Sequence, residues 1–472
     1  MIADAAQIRH LTPRFADAVR LRARKRAKLW LHLFLFVLIG CQLALAFGLF
    51  DSYRIFIRVA SFAISLVALV LIPGRALPHP SIKPAILILA IVTISILHPT
   101  TNNLMAGLAQ IMMYVAILAP LFWVSRLRLD VNDFKRVVLV LWAFHSLSAG
   151  VGVLQVYYPG QFDSNLSSAY STLDPGYVSS LQITLATGER VFRPMGLTDI
   201  PGGAATAGFY AVVFSMGFLL AFQRYWMKAL CVVSIMLGMI VIYMSQIRVT
   251  LIMTAICMVG YCLMLAWRRR AANVGVLLVS LAVIVYASFM VAATVGGESV
   301  GQRLSSLVDD SPTNVYYKNR GIFVEQTITE LLPQYPLGAG LGRWGMMSVY
   351  FADADPTNAG LYAEIQWTGW LLDGGVLLIM AYALALLVAS LSVFKMIRQE
   401  KQLPNDLWLW TLLILAYNCG VFAVTFSFPI FMSQSGLEFW FLNAALFSAV
   451  RSVTHKPGEV RFRSETLSPR HR

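Results

Sequence analysis

Long apolar runs separated by short polar connections make up most of this chain. Many of the runs reach the length that crosses a hydrocarbon core of about 30 Å, and the third is shorter. The pattern predicts an all-α polytopic membrane protein with about twelve transmembrane helices. The predicted helices lie near residues 29–50, 55–73, 84–98, 105–124, 137–157, 203–222, 229–245, 249–267, 273–293, 368–392, 407–427 and 436–450.

Two long polar segments interrupt this pattern. Residues 158–202 are rich in Ser, Gly, Pro and Asp, and residues 294–367 are mostly polar. Long connections of this kind are usually functional or disordered, so we expect the function of the chain to lie in them. The predicted regions are a basic N-terminal segment (1–28), the first transmembrane helices (29–157), the first large loop (158–202), the central transmembrane helices (203–293), the large loop with the active site (294–367), the C-terminal transmembrane helices (368–450) and a basic tail (451–472).

The distribution of basic residues predicts the orientation in the membrane. The net charge is +14. Of the 37 Lys and Arg residues, 28 lie in the connections on one side of the predicted topology, and nine lie elsewhere. The positive-inside rule makes that side cytoplasmic, with both termini inside and the two large loops outside. This placement explains the basic charge by contact with membrane lipids and predicts no nucleic-acid partner.

No cofactor or metal site is predicted. The chain has five cysteines, all within apolar runs, and lacks a Cys/His cluster with metal-ligand spacing. The acidic pair Asp353 and Asp355 is similar to the metal-binding acids of nucleotide-sugar transferases, but a solvated acidic turn explains it equally well. Residues 340–345 match the spacing of a dinucleotide-binding motif without the surrounding βαβ unit, so we reject that function.

Several arginines outside the cytoplasmic set are candidates for binding an anion. Arg248 lies in a very short connection between two apolar runs, where a charge at the membrane boundary is costly and indicates function. Arg320, with Lys318 close by, begins a helical stripe that continues through Val324, Ile328 and Leu331, so we expect Arg320 to face the protein core or a membrane cavity. By contrast, Arg54 and Arg58 are expected to be snorkelling anchors at a helix end.

Residues 340–364 add an anion-binding turn and a candidate base. Gly340 and Gly342 favour a tight turn that brings backbone N–H groups and Arg343 to an anion. Glu364, just before the tenth predicted span, is the best candidate for a general base, although a helix-capping role is equally plausible. Neither large loop contains histidine, which leaves His98, at the outer end of the third predicted span, as the alternative base.

The order of these motifs resembles the superfamily of O-antigen ligases and polysaccharide polymerases. The similarity covers about residues 190–380, and its most specific part is the sequence Pro-Leu-Gly-Ala-Gly-Leu-Gly after an arginine-headed helix. Ligases of the family carry a His-Asn pair where this chain has Glu364 and Ile365, and a shifted register places Asn358 there, so the polymerases are the closer match. The motifs are Phe192-Arg-Pro-Met-Gly196, Ser245-Gln-Ile-Arg248, Asn319-Arg-Gly-Ile-Phe323, Tyr335-Pro-Leu-Gly-Ala-Gly-Leu-Gly342 and Asp373-Gly-Gly375.

The resemblance implies a GT-C-like fold in the bacterial inner membrane and an active site on the periplasmic face. The implied reaction transfers a glycan from an undecaprenyl-diphosphate-linked donor to a hydroxyl of an acceptor lipid-linked glycan, building O-antigen or exopolysaccharide without a metal. A chain-length regulator and a flippase are implied partner proteins. The resemblance puts Arg193, Arg248 and Arg320 where the diphosphate-binding arginines of the family lie. Taken together with the residue patterns above, we expect Glu364, Arg320 and Arg248 to be catalytic, and the expected substrate-binding residues are Arg193, Lys318, Arg343, Gly340, Gly342 and Asn358.

Two alternative functions remain open at this point. A ligase would pass the glycan to lipid A-core or to a protein. A flippase or transporter for lipid-linked sugars would belong to another class and would carry charges near the bilayer midplane in repeated halves. The sequence has no clear internal repeat, and its unexplained charges cluster at the outer edge of the predicted spans.

Overall fold

The fold is a bundle of membrane-length helices. The computed structural model describes residues 13–72, 78–101, 103–127, 129–164, 166, 175–305, 311, 314, 316–351, 360–398, 403 and 406–454. The first half contains α1 (Pro13–Ala46), α2 (Arg54–Leu71), α3 (Ile82–Ser95), α4 (Leu104–Leu127), α5 (Val131–Tyr157), α6 (Pro175–Ser180), β1 (Gln182–Thr184) and β2 (Arg190–Phe192).

The second half continues the helical pattern. Helix α12 consists of four consecutive segments, Tyr317–Gly321, Ile322–Gln326, Thr327–Leu331 and Leu332–Gln334, the first and third of which are π-helical. The other helices are α7 (Gly203–Ala221), α8 (Tyr225–Ser245), α9 (Arg248–Trp267), α10 (Ala271–Gly296), α11 (Glu298–Ser305), α13 (Gly345–Phe351), α14 (Gln366–Arg398), α15 (Leu407–Val424) and α16 (Gln434–Thr454).

The protein is a multi-pass membrane protein. Within the described ranges, ten helices are long and apolar enough to cross a membrane. Each of the twelve predicted segments is helical, but α3 has only 14 residues and α16 is not among the ten. The all-helical membrane class is therefore confirmed, while the count of twelve crossings stays a prediction. Helices α7 and α15 are the most enclosed of the ten, and α2 and α10 lie at the periphery.

The described parts of the two large loops lie together at one end of the bundle. The antiparallel pair β1 and β2, a small exception to the all-α prediction, forms a hairpin within the first loop. Ala186 N in the hairpin turn donates to Val295 O at the end of α10, at 3.0 Å, and Thr184 O of β1 accepts from Ser299 Oγ of α11, at 3.0 Å. We call this end of the bundle the loop end.

The opposite end holds the basic connections, and we call it the basic end. Two ion pairs join its helices: Lys28 lies 3.2 Å from Asp133, and Lys135 lies 2.6 Å from Asp406. Asp133 also belongs to a capping box with Asp130 at the start of α5, which satisfies backbone N–H groups there. The separation of the basic end from the loop end agrees with the charge pattern of the sequence.

The prediction that Arg54 and Arg58 snorkel to the membrane surface is wrong. Arg54 is 5% exposed, and both guanidinium groups contact the buried carboxylate of Asp199 in the first large loop, at 3.1 and 2.6 Å. Arg54 also pairs with Asp51 at 2.6 Å. A local pattern cannot reveal this arrangement, because Asp199 lies more than 140 residues away in the sequence.

Candidate functional site

The structure brings two predicted catalytic residues into direct contact at the loop end. Arg320 Nη1 of α12 donates to Glu364 Oε1 just before α14, and the phenol of Tyr362 donates to the other carboxylate oxygen. The Arg320 guanidinium lies 6.0 Å from the ring centre of Phe323, whose ring also faces Tyr362. The Arg320 and Glu364 side chains are 36% and 22% exposed, so the pair is partly open to solvent.

Helix α12 is fixed to the bundle at two further points. The hydroxyls of Thr327 and Thr368 lie 2.6 Å apart in a buried contact with α14. At the other end of α12, the Tyr316 hydroxyl donates to Phe426 O at 3.3 Å. Helix α12, which carries Arg320, is therefore attached both to the start of α14 and to the turn after α15.

The apolar stripe predicted for α12 is only partly correct. Arg320 is partly buried and Val324 is half-buried, but Ile328 is 57% exposed, and the buried residues include Gly321 and Thr327. The two π-helical segments form i→i+5 hydrogen bonds, which change the rotation per residue. A reading based on 3.6 residues per turn therefore assigns the wrong side chain to the inner face.

Arg193 and Ile247, the residue before Arg248, both lie close to Gly202. Gly202 has φ of 85°, and a Cβ added there would lie 2.5 Å from Ile247 Cδ1 and 4.0 Å from Arg193 Cδ. Arg193 Nη2 donates to Ser180 O at 3.0 Å, and Arg248 is the first residue of α9. A cation at a helix N-terminus adds to the positive potential of the helix dipole. The start of α9, near Gly202, therefore favours an anion.

Helix α15 connects the region around Gly202 to the pair of Arg320 and Glu364. Helix α9 packs along α15, where the Cys257 thiol donates to Ala416 O at 3.5 Å. The turn that follows α15 holds Phe426, the acceptor for Tyr316, and Thr425, whose carbonyl accepts from Gln366 N at 3.0 Å. Arg248 therefore begins a helix packed against one side of α15, and α12 is attached at the end of the same helix.

The glycines of residues 336–345, which we call the glycine segment, form the predicted tight turns. Gly340 and Gly342 have φ values of 84° and 73°. A Cβ at Gly340 would lie 2.5 Å from Thr101 N, and one at Gly342 would lie 2.5 Å from Ala106 Cβ. Both glycines thus allow close packing against the start of α4, and their contact with a substrate anion stays a prediction.

Arg343 has an internal contact. It is 7% exposed, and its Nη1 donates to Ala339 O at 3.1 Å within the glycine segment. Its own carbonyl accepts from Leu361 N at 2.6 Å, which ties the glycine segment to the stretch before Glu364. This contact supports the local backbone, while the predicted role in substrate binding is not tested by it.

His98 lies beside the glycine segment. Its Nδ1 is 2.8 Å from the Thr100 hydroxyl, which donates to Ala339 O at 2.7 Å. His98 is half-buried at the loop end. Its position near the predicted site keeps it as the alternative base.

Some predicted residues fall outside what can be described. The backbone of Lys318 lies in α12, but its side chain is outside the described part of the structure, as is the whole of Asn358. Asp353 and Asp355 also lie outside the described residues. In the part of the chain that the structure covers, no group of three His, Cys, Asp or Glu side chains is placed to hold a metal ion.

A cavity of about 320 Å³ lies at the basic end, between α5, α7 and α15. Lys135, Arg136 and Asp406 are on its wall with Phe218 and Trp410. None of the residues predicted to be catalytic lines it. The cavity therefore belongs to the opposite end of the bundle from the Arg320 pair.

Sequence reasoning missed Tyr362 and the two threonines that fix α12. Tyr362 and Glu364 are only two residues apart, and the Tyr362 phenol donates to the Glu364 carboxylate. Their closeness in the sequence is the signal that could have identified Tyr362 as a partner. The pairing of Thr327 with Thr368 depends on how α12 packs and has no local signal.

No protein-family model matches the chain, and no curated protein matches it.

Proposed function

We propose that the protein is a glycosyltransferase that polymerises a lipid-linked polysaccharide, either O-antigen or exopolysaccharide. In this proposal it acts at the periplasmic face of the bacterial inner membrane, with a GT-C-like fold and cytoplasmic termini. The donor is an undecaprenyl-diphosphate-linked glycan, and the acceptor is a hydroxyl of another lipid-linked glycan. The observation that carries the proposal is the contact between Arg320 and Glu364, which puts an anion-binding group beside a candidate base.

The reaction requires charge neutralisation and removal of one proton. The acceptor oxygen forms a bond to the anomeric carbon while the bond from that carbon to the diphosphate oxygen breaks. The diphosphate leaves with the electron pair, and guanidinium groups of Arg193, Arg248 and Arg320 neutralise its charge. Glu364 accepts the proton of the acceptor hydroxyl.

The geometry of the pair supports these two roles. A carboxylate that accepts bonds from both Arg320 and Tyr362 is held in a fixed orientation, as a base requires. Guanidinium has five N–H donors and binds phosphate well, so the donor diphosphate can compete for Arg320. This exchange would leave Glu364 beside the bound donor with one carboxylate oxygen released to accept a proton.

Polymerase activity is tested with purified protein in liposomes that contain an undecaprenyl-diphosphate-linked oligosaccharide. We expect longer lipid-linked glycans to form with no nucleotide sugar and no added metal, as measured by gel electrophoresis and mass spectrometry. Transfer to lipid A-core alone would favour the ligase instead. A protein that forms no glycosidic bond with either acceptor would refute the transferase proposal.

The role of Glu364 is tested by the variant Glu364→Gln. Glutamine keeps the shape and a hydrogen-bond acceptor but loses the basic carboxylate, so we expect transfer to fall by about 10²-fold or more while donor binding persists. The matched control is Glu325→Gln, because Glu325 is an exposed carboxylate of α12 that accepts a bond from Tyr317 and has no arginine partner among the described residues. Equal activity of the two variants would mean that Glu364 only tethers α12, and His98→Ala would then test the alternative base.

One observation favours transport as a second candidate function. His145 and Glu438 are buried inside the bundle, 4.0 Å apart, and the His145 ring stacks on Tyr210 at 4.5 Å. Ionisable groups inside a membrane bundle often line a proton or substrate pathway. Movement of a fluorescent lipid-linked glycan between leaflets without bond formation, lost in Glu438→Gln, would support this function over transfer.

A further inference from the structure

The membrane helix α14 lacks one of its internal hydrogen bonds, and the glycine segment binds to the two backbone groups that are left over. In an uninterrupted helix, Val376 N would donate to Leu372 O. Here Ala339 N donates to Leu372 O at 2.7 Å, and Val376 N donates to Pro336 O at 3.1 Å. Two bonds to the glycine segment therefore replace the missing bond of the helix.

A glycine pair lies at this break. Gly374 is extended, with φ of −161°, whereas Gly375 has a left-handed φ of 65°, which favours glycine. A Cβ at Gly375 would lie 2.2 Å from Pro336 O, which a larger residue could not tolerate. The break lies about 13 Å along α14 from Gln366, since each helical residue rises about 1.5 Å. Backbone groups at such a depth must be satisfied within the protein, and the two chain segments satisfy each other.

Asp373 lies directly beside this break and collects hydrogen bonds from two other elements. It is fully buried. Its Oδ2 accepts from Tyr114 OH at 2.6 Å and from Gln110 Nε2 at 2.8 Å, both on α4. Its Oδ1 accepts from Trp344 Nε1 at 2.9 Å, within the glycine segment. One carboxylate thus joins α4, α14 and the glycine segment.

Trp344 attaches the glycine segment to α14. A Cβ at Gly369 would lie 2.4 Å from two atoms of the Trp344 ring, so the indole occupies the space that Gly369 leaves on α14. The indole is 4% exposed. Its N–H bond to Asp373 and its close packing on Gly369 fix the end of the glycine segment that lies farthest from α12.

We propose that Asp373 is a positioning residue for the Arg320–Glu364 pair. It holds the glycine segment in the break of α14, and that segment follows α12 directly in the chain. The α12 helix is then constrained from its C-terminal end as well as by its contacts at Thr327 and Tyr316. Asp373 acts on the pair through the glycine segment and does not touch the substrate. The inference rests on the proposed function for its effect on transfer, but its effect on α12 is independent of that function.

The test uses Trp344→Phe, which removes the N–H donor to Asp373 and keeps an aromatic ring against Gly369. Trp410→Phe is the matched control, because Trp410 is fully buried in α15 and its indole N–H has no hydrogen-bond partner among the described residues. Both variants lose the same atoms from a buried site, so they share any general packing loss. The variant Asp373→Ala removes the acceptor for all three donors, and Trp344→Phe still decides the question if that variant fails to fold.

The first measurement follows α12 directly. In a chain whose five cysteines are replaced, the pair Thr327→Cys and Thr368→Cys reports the contact between α12 and α14 through the rate of disulfide formation in membranes. We expect Trp344→Phe to change this rate several-fold, with no change in Trp410→Phe. Equal rates in the two variants would overturn the proposal, whether or not the protein is a transferase.

The second measurement is the kinetics of transfer in the native-cysteine protein. Because the residue orients reacting groups, we expect kcat to fall about tenfold in Trp344→Phe while the donor KM changes less than about twofold. A change in disulfide rate in a protein without transferase activity supports the positioning contact and refutes the proposed function alone. A normal kcat in an active Trp344→Phe variant would overturn the role of Asp373 in the site.

Discussion

Two arginine–carboxylate groups at the loop end use the same chemistry in different surroundings. Asp199 is 1% exposed and lies between Arg54 and Arg58, whose side chains are 6% and 19% exposed. Glu364 and its partner Arg320 are 22% and 36% exposed. The first group joins a loop to α2 inside the protein, and the second joins α12 to the start of α14 at a partly open surface.

The difference in exposure predicts a difference in role. Removing one partner of a buried ion pair leaves an uncompensated charge, which is strongly destabilising. An exposed pair contributes about 0–1 kcal/mol, so its partners can separate at little cost. The Asp199 group therefore suits a structural contact, and the Arg320–Glu364 pair suits an exchange of partners with a charged substrate.

The largest effect on stability is expected for Asp199→Ala. It leaves Arg54 and Arg58 without their shared buried carboxylate, so we expect a loss of about 3–5 kcal/mol in the free energy of unfolding. Thermal unfolding of the purified protein in detergent measures the loss. The control is Asp51→Ala, since Asp51 pairs with Arg54 but is 55% exposed and is expected to contribute no more than about 1 kcal/mol. Similar losses in both variants would contradict the structural role of burial.

Arg320→Ala is expected to give the next largest effect, on transfer. Losing a group that stabilises the leaving diphosphate should reduce kcat by about 10²-fold or more, equivalent to about 2.7 kcal/mol, with little change in unfolding temperature. Arg320→Lys should recover only part of the activity, because an ammonium cannot bind phosphate through two parallel N–H groups. Arg193→Ala and Arg248→Ala are expected to behave in the same way. A fully active lysine variant would point to simple electrostatic attraction of the donor.

A smaller effect is expected for Thr327→Val, which removes the hydroxyl bonded to Thr368 and keeps the side-chain shape. The buried Thr368 hydroxyl loses its partner, so we expect a loss of about 1 kcal/mol in stability. Transfer should decrease only a few-fold, because Tyr316 and the glycine segment still hold α12. Thr329→Val is the control, since Thr329 is exposed on the same helix. A loss of transfer as large as that of Arg320→Ala would show that the threonine contact itself sets the site.

No effect is expected from removal of divalent metal. In the proposed mechanism, arginines neutralise the diphosphate, so transfer in liposomes should be unchanged by EDTA. The measurement compares initial rates before and after chelation. Activity that is lost in EDTA and restored by magnesium or manganese would contradict the mechanism and make Asp353 and Asp355 candidate ligands.

The membrane architecture could be predicted from the sequence because it depends on local properties. Apolar runs of sufficient length must form helices to satisfy their backbone groups in lipid. The predicted and observed helix bounds differ mainly at helix ends, as in α1, which begins at Pro13 within the basic segment and ends at Ala46. The polar composition also identified the two loops that meet at the loop end.

The site depended on contacts between distant parts of the chain. The sequence identified Arg320 and Glu364 as separate candidates, but only the fold of α12 across the start of α14 joins two residues that are 44 positions apart. The π-helical turns of α12 changed its buried face, and Asp199 converted two expected surface arginines into a buried group. Local patterns predict which segments enter the membrane, whereas side-chain partners depend on how those segments pack, and packing is decided by the whole chain.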